Sequence, residues 1–262
     1  MRVRLGNGAR ARVPTGSTRC CLGACSPARN AAIAALQPDG IVLTPPHSEN
    51  PLITGYLARH AIPFACIGTQ SAPGGLALTM DDQTNAERAT RHLVDLGHRA
   101  IGFIAGPEDY SLSDWRIAGW RRVMEESGLA TEGLCARGDF GFESGKVAAR
   151  TLLERRERPT AIIASSDHMT LASLEVAKER GLDVPADLSL VSFDNTPVMR
   201  FTQPRLTAID QPIAETVSRA VEWLIDASPG ASPDAPMNVP GALVERESTA
   251  PPRPDKVRDD TA

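Results

Sequence analysis

Short, nearly continuous apolar runs punctuate the chain from residue 40 onward: GIVLT (40–44), PFACI (63–67), LALTM (76–80), AIGFIA (100–105), AIIAS (161–165) and LSLVSF (188–193). Runs of this length without polar alternation predict strands buried on both faces. Between them lie stretches with apolar residues on one helical face: NPLITGYLARHA (50–61), QTNAERATRHLVDLG (83–97) closing on Gly97, DWRIAGWRRVMEESG (114–128), ESGKVAARTLLERR (143–156), HMTLASLEVAKERG (168–181) and PIAETVSRAVEWLID (212–226). AAIAALQ (31–37) is helix-like, and CARGDF (135–140) and LTAI (206–209) complete the pattern as strand-like segments. Alternation of this kind predicts an α/β fold with doubly wound parallel sheets covered by helices on both faces.

The first 29 residues break the pattern. They hold six arginines, no acidic residue, and scattered Gly, Ala, Ser, Thr, Pro and Cys without either period. No folded element is expected there, and the apolar stretch of roughly 7–15 residues that a secretory signal needs is missing. Cys20, Cys21 and Cys25 match no common zinc spacing, so no metal site is expected. The five cysteines are odd in number and unpatterned, which fits a reducing compartment. At 42% hydrophobic but only 4% aromatic, the core must be built from aliphatic side chains. A net charge of -4 gives no general attraction to polyanions, and no apolar run approaches the roughly 20 residues of a membrane span. A cytoplasmic protein without membrane association is expected.

In open α/β sheets ligands bind beyond the carboxyl ends of the strands, where helix N-termini point. The residues placed there are Pro45 to Ser48 after the first run, Pro107 to Ser111 with Arg116 slightly beyond, Phe140, then Ser166, Asp167 and His168, then Asp194 and Asn195. Hydroxyls, carboxylates, a guanidinium and an aromatic ring are the chemistry of a sugar or polyol site. Each has a structural alternative. Arg116, read as lying at the start of its helix, suits a surface ion pair; Asp194 suits a turn or cap, Asp167 an N-cap, and Phe140 a loop anchor. His92 and His98 flank the end of the 83–97 helix and are expected to cap it or face solvent. No HExxH, GxSxG, phosphate-loop or dinucleotide motif is present, so neither an enzymatic activity nor a cofactor is expected.

Taken in order, LQPDGIVLTPP, HLVDLGHRAIGFIAGP, the S-x-x-x-x-R-x-x-G run at 111–119, GDFGFESG, AIIASSDHMTLASLEVAKERGLDVPADLSLVSFDNTP and PRLTAIDQPIAE resemble the effector-binding core of the lactose-repressor and galactose-repressor (LacI/GalR) family of bacterial transcription regulators over 30–251. The resemblance implies a type I periplasmic-binding-protein-like fold, with two α/β subdomains joined by three crossovers near 80, 210 and 238 and a small-molecule effector, of sugar type, held in the cleft. It assigns 30–80 with 211–237 to the amino-terminal subdomain, 81–210 with 238–250 to the carboxy-terminal one, 1–29 to an atypical leader and 251–262 to a tail. Arg116 matches the family arginine that bonds effector hydroxyls or carboxylates, Phe140 the stacking aromatic, and Asp194 the acid that takes sugar hydroxyls. Thr44, Ser166, Asp167 and Gln211 stand at cleft-lining positions, and Ser111 shapes the cleft mouth with Asp109. A homodimer, and operator DNA in full-length relatives, are the implied partners. A sugar-binding protein of a transport system is the alternative that shares the fold.

Two positions depart from the family: Gly68 replaces an acidic contact, and Ser166 stands where several relatives carry Asn. The helix-turn-helix module, hinge helix and first strand and helix of the core are not readable in residues 1–29, whose composition points to an altered reading frame or a misassigned start. Loss of the first βα unit would leave an open sheet edge and an uncovered apolar face. Reduced stability or aggregation is expected; a sharp monomeric or dimeric gel-filtration peak with a cooperative melt would contradict it.

Overall fold

A computed structural model of the chain describes residues 38–228, 231, 233 and 235–253, with the backbone of 2–4 and 10–12. The expected helix at 31–37, the Cys20, Cys21 and Cys25 cluster and most of the 251–262 tail lie outside the described residues. In chain order the elements are β1 (Arg2–Arg4), β2 (Arg10–Arg12), β3 (Ile41–Leu43), α1 (Pro51–Arg59), β4 (Phe64–Ile67), β5 (Leu76–Thr79), α2 (Asp82–Asp95), β6 (Ile101–Ala105), α3 (Ser111–Glu126) and β7 (Cys135–Arg137). There follow α4 (Phe142–Leu153), β8 (Ala161–Ala164), α5 (Asp167–Glu179), β9 (Ser189–Asp194), β10 (Thr207–Asp210), α6 (Ile213–Asp226), β11 (Met237–Asn238) and β12 (Ala242–Val244). The chain forms two units, Met1–Asp81 with Pro212–Pro240, and Asp82–Gln211 with Gly241–Ala262.

The first unit carries a four-stranded parallel sheet in the order β11-β5-β4-β3. Apart from Thr79 and Asn238, its strands are apolar at every position because each face has its own cover. Ile41, Leu43, Phe64 and Cys66 pack on Ile53 and Leu57 of α1, while Val42, Ala65 and Ile67 pack with Ala220, Val217 and Leu224 of α6. The same alternation builds the second unit, whose six-stranded sheet runs β12-β10-β9-β8-β6-β7, parallel except for β12. Phe103, Ile163, Val191 and Phe193 face Ala89, Leu93, Ile117 and Trp120 of α2 and α3. Ile104, Ile162, Ala164 and Leu190 face Ala148, Leu152, Met169 and Ala177 of α4 and α5.

Three local expectations are corrected, and two short strands, β11 and β12, were not foreseen. The leader is not without an element, since Arg2–Arg4 pairs antiparallel with Arg10–Arg12; two Arg-x-Arg triplets flank the turn-prone sequence Gly-Asn-Gly. β11 and β12 were too short, and too closely flanked by proline and glycine, to show a period. α3 begins at Ser111 rather than Asp114, which moves Arg116 from the helix start into its second turn. The 83–97 helix ends as expected at Gly97, whose N–H donates to the Val94 carbonyl, and His98 caps it through its backbone N–H, which donates to the Leu93 carbonyl at 3.0 Å; its imidazole, however, is buried rather than solvent-facing.

His98 is buried, with Nε2 at 2.9 Å from the Ala250 carbonyl and Nδ1 at 2.8 Å from the Thr160 hydroxyl. A carbonyl accepts only, so Nε2 carries the proton and Nδ1 accepts from Thr160. This bond pins the segment after β12 to the sheet. Burial pushes the imidazole below its ordinary value of 6.5, the charge of His92 adds to this, and the Ala250 carbonyl opposes it. Burial lowers half-buried His92 as well. As pH falls through the ordinary value, the unfolded chain therefore takes up protons that the folded chain does not, and stability present above that value is lost. Urea midpoints are expected to fall between about pH 7.5 and about pH 5.5, with a shallower fall in His98→Gln; a flat profile in the parent chain would refute the assignment.

Candidate effector site

Helix α3 buries Ser113, Arg116, Ile117, Trp120, Val123 and Met124, the spacing of a core-facing stripe. Arg116 is thus a cation on an apolar face, only 4% exposed. Such a charge must be paired and hydrogen-bonded. Asp82, the first residue of α2, provides the pairing: Arg116 Nε and Nη2 both donate to Asp82 Oδ1 at 2.7 Å. Nη1 donates to the Ser165 carbonyl at 2.6 Å, and the guanidinium carbon lies 4.4 Å from the centroid of the Phe193 ring. The surface ion-pair alternative for Arg116 is therefore excluded. Gln211 joins the pair, its Nε2 at 3.4 Å from Asp82 Oδ1. Asp82 Oδ2 and the hydroxyls of Ser113 and Ser165 are buried without a hydrogen-bond partner among the described residues.

Phe140 sits between β7 and α4 with φ +67. An Asx turn holds it, with Gly141 N–H donating to Asp139 Oδ1 at 2.8 Å, and the Ser166 hydroxyl donates to the Phe140 carbonyl at 2.9 Å. Its ring meets Tyr110 edge-on at 5.6 Å and lies against Gly106, where a Cβ would stand 2.1 Å from Phe140 Cζ and 2.6 Å from Ser113 Oγ. Glycine is required at that turn for the ring to pack. Ser166, buried, caps α5 by accepting from Met169 N–H at 3.2 Å.

Asp194 ends β9 with φ +91. Burial pushes its carboxyl above the ordinary value and Asp167 and Asp82 push the same way, while Arg116 and the Asp167 N–H that it accepts oppose them. Asp167 is not the N-cap, a position Ser166 holds, and its carboxylate is fully engaged. Oδ1 accepts from Ser192 at 2.5 Å, and Oδ2 from the N–H of Thr196 at 2.6 Å and its hydroxyl at 2.5 Å. Asp167 therefore holds the loop after β9 rather than presenting an open carboxylate.

Arg116, Phe140, Ser166, Asp167, Asp194, Gln211 and Ser111 all belong to the second unit. Ser111 is the first residue of α3, half-buried. Thr44 belongs to the first unit, where its carbonyl accepts from His47 and Ser48 N–H at 2.9 and 3.1 Å. Gly68, in the same unit, has φ +76, a conformation that favours glycine over any residue with a Cβ.

Residues 90–249 match the periplasmic binding protein-like domain family. The chain belongs to that family. Within it, the relatives are regulators of the LacI type. The HTH-type transcriptional repressor CytR of Escherichia coli is 40% identical over 152 residues, 58% of this chain and 45% of that repressor. The HTH-type transcriptional repressor PurR of Proteus mirabilis is 32% identical over 224 residues, 84% of this chain and 66% of that one. Among solved structures, a complex of the transcriptional regulator CelR with cellobiose shares the fold with a TM-score of 0.74 and 28% identity, over 84% of this chain and 69% of that one. The chain spans about half the length of curated relatives such as CytR.

The family comparison does not single out Asp82, and the reading of strand ends missed it because it opens a helix rather than following a strand. One signal was available: an arginine on a helix's apolar stripe needs a buried acid nearby. Asp167→Ala is expected to strand three donors and to lower unfolding stability by about 3 kcal/mol in urea. A loss below about 0.5 kcal/mol would show that its contacts are dispensable.

Proposed function

We propose that the chain is the effector-binding and dimerisation core of a LacI/GalR-type transcription regulator, acting in the cytoplasm on a sugar-type small molecule and without catalytic activity of its own. The carrying observation is the polar cluster at the strand ends of the second unit, where Arg116, Asp82 and Asp194 lie beside unpartnered hydroxyls. Phe140 adds the aromatic surface that a sugar ring requires. The CelR complex with cellobiose supports the sugar class. No helix among the described residues is long and apolar enough to cross a membrane. Operator DNA is the proposed partner of the whole protein, and a second copy of this chain the proposed dimer partner. Effector acts by its differential affinity for two conformations, which is the only means by which it can change operator binding.

Arg116→Ala is a poor probe, because stranding Asp82 would itself cost about 3–5 kcal/mol. Asp194→Asn and Phe140→Ala keep the buried pair. A sugar present at about 100 times its Kd, from a panel that includes cellobiose and D-ribose, is expected to stabilise the parent chain by about 2.7 kcal/mol. Each variant should melt cooperatively and lose that gain. Full retention of the gain in both would refute the site.

A further inference from the structure

We infer that the site selects an uncharged, hydroxyl-rich effector and rejects phosphorylated or carboxylated ones, and that Asp82 is the residue that sets this preference. The inference rests on the effector site proposed above. Its basis is the disposition of charge and of unpaired hydrogen-bonding atoms at the strand ends.

Arg116 is the cation that an anionic ligand would seek, and it is already neutralised. Two of its nitrogens converge on one oxygen of Asp82, a third is held by the Ser165 carbonyl, and its face is covered by Phe193. The other guanidiniums near these strand ends are also engaged: Arg137 donates to the Gly106 carbonyl at 3.1 Å and is paired with Asp114 at 2.9 Å and Glu108 at 3.4 Å, and Arg246 donates to the Asn195 amide oxygen at 2.6 Å and to the Leu206 carbonyl. Against Arg116 stand three carboxyl groups, those of Asp82, Asp167 and Asp194, near enough that Asp194 feels the other two and Arg116 alike. A phosphate brought here would meet more carboxylate than guanidinium at short range in a weakly screened environment.

The hydrogen-bonding inventory points the same way. Asp82 Oδ2 is an acceptor buried with no partner among the described residues, on a residue 1% exposed. It can be satisfied only by a donor. Ser113 and Ser165 contribute buried hydroxyls that give or take one bond each. Sugar hydroxyls both donate and accept, so they satisfy all three atoms, whereas the ionised oxygens of a phosphate or carboxylate group accept only and leave Asp82 Oδ2 unmet. Asp82 therefore acts twice: Oδ1 cancels the guanidinium and Oδ2 demands an O–H or N–H from the ligand.

The test uses thermal melts of the chain at matched ionic strength with inorganic phosphate, glucose 6-phosphate, and the neutral sugars cellobiose and D-ribose. The parent chain is expected to show no shift with phosphate or glucose 6-phosphate. Asp82→Asn, which is isosteric and unmasks Arg116, is expected to gain a saturable phosphate-dependent rise of roughly 5 °C, absent from the D82N/R116Q double variant. A phosphate or glucose 6-phosphate shift in the parent chain, lost in the double variant, overturns the charge inference while leaving the site in place. So does a D82N protein that melts cooperatively and ignores phosphate. If D82N does not fold, the parent chain's response to phosphate and glucose 6-phosphate decides. A neutral-sugar shift that survives both D194N and F140A instead removes the site itself, and the inference with it.

Discussion

One guanidinium organises the second unit. Arg116 occupies a core position on α3, between Ser113 and Ile117 on the buried stripe, where a bare cation would be untenable. Its partners come from the start of α2, through Asp82, and from the residue just after β8, through the Ser165 carbonyl, while Phe193 of β9 lies against its face. Four elements must therefore meet at the correct axial position before the charge is compensated. Hydrophobic packing alone tolerates sliding of a helix along a sheet; a guanidinium held by one carboxylate oxygen and one defined carbonyl does not. The cost of misplacing any of the four is what makes the strand ends a defined surface rather than a frayed one.

The architecture was legible because parallel strands covered on both sides cannot hide. Val191 and Phe193 face one pair of helices and Leu190 the other, so the run LSLVSF shows little polar interruption. β11 and β12 have two and three residues and carry no comparable pattern. Candidate site residues were found by a positional rule, that polar chemistry follows an apolar run, and the rule brought Arg116, Phe140, Ser166 and Asp194 to one unit. It could not say how each carboxylate is used. Asp167 and Asp194 look alike on paper, yet one is saturated by Ser192 and Thr196. Nor could it find Asp82, whose role depends on a partner 34 positions away. The burial of the His98 ring was missed for the same reason: its partners Thr160, Ser189 and Ala250 are distant in the chain.

Backbone strain is concentrated at the same strand ends. Phe140, Asp194 and Asn195 adopt positive φ without being glycine, a conformation that costs a residue such as Phe140 about 1–2 kcal/mol and that Asp and Asn tolerate better. Side chains hold them there. Ser166 binds the Phe140 carbonyl. Asn195 is clamped from two sides, donating to Asp210 at 2.7 Å and accepting from Arg246 at 2.6 Å. Observed strain of this kind belongs to positions whose side chains must be aimed, and here it aims a ring and a carboxylate.

The strand β12 has a consequence for how the protein is made. It pairs antiparallel with β10, yet between them the chain leaves to build α6 and β11 in the other unit. Ser248 and Ala250, just beyond β12, then bond back to Thr207, Leu190 and Ser189. Each unit is thus assembled from segments far apart in the chain, and the second holds unsatisfied strand-edge groups at β10 until the 242–250 stretch has left the ribosome. During synthesis the nascent second unit is complete in its helices but lacks its closing strand, which leaves β10 with an unpaired edge of the kind that can pair with another chain.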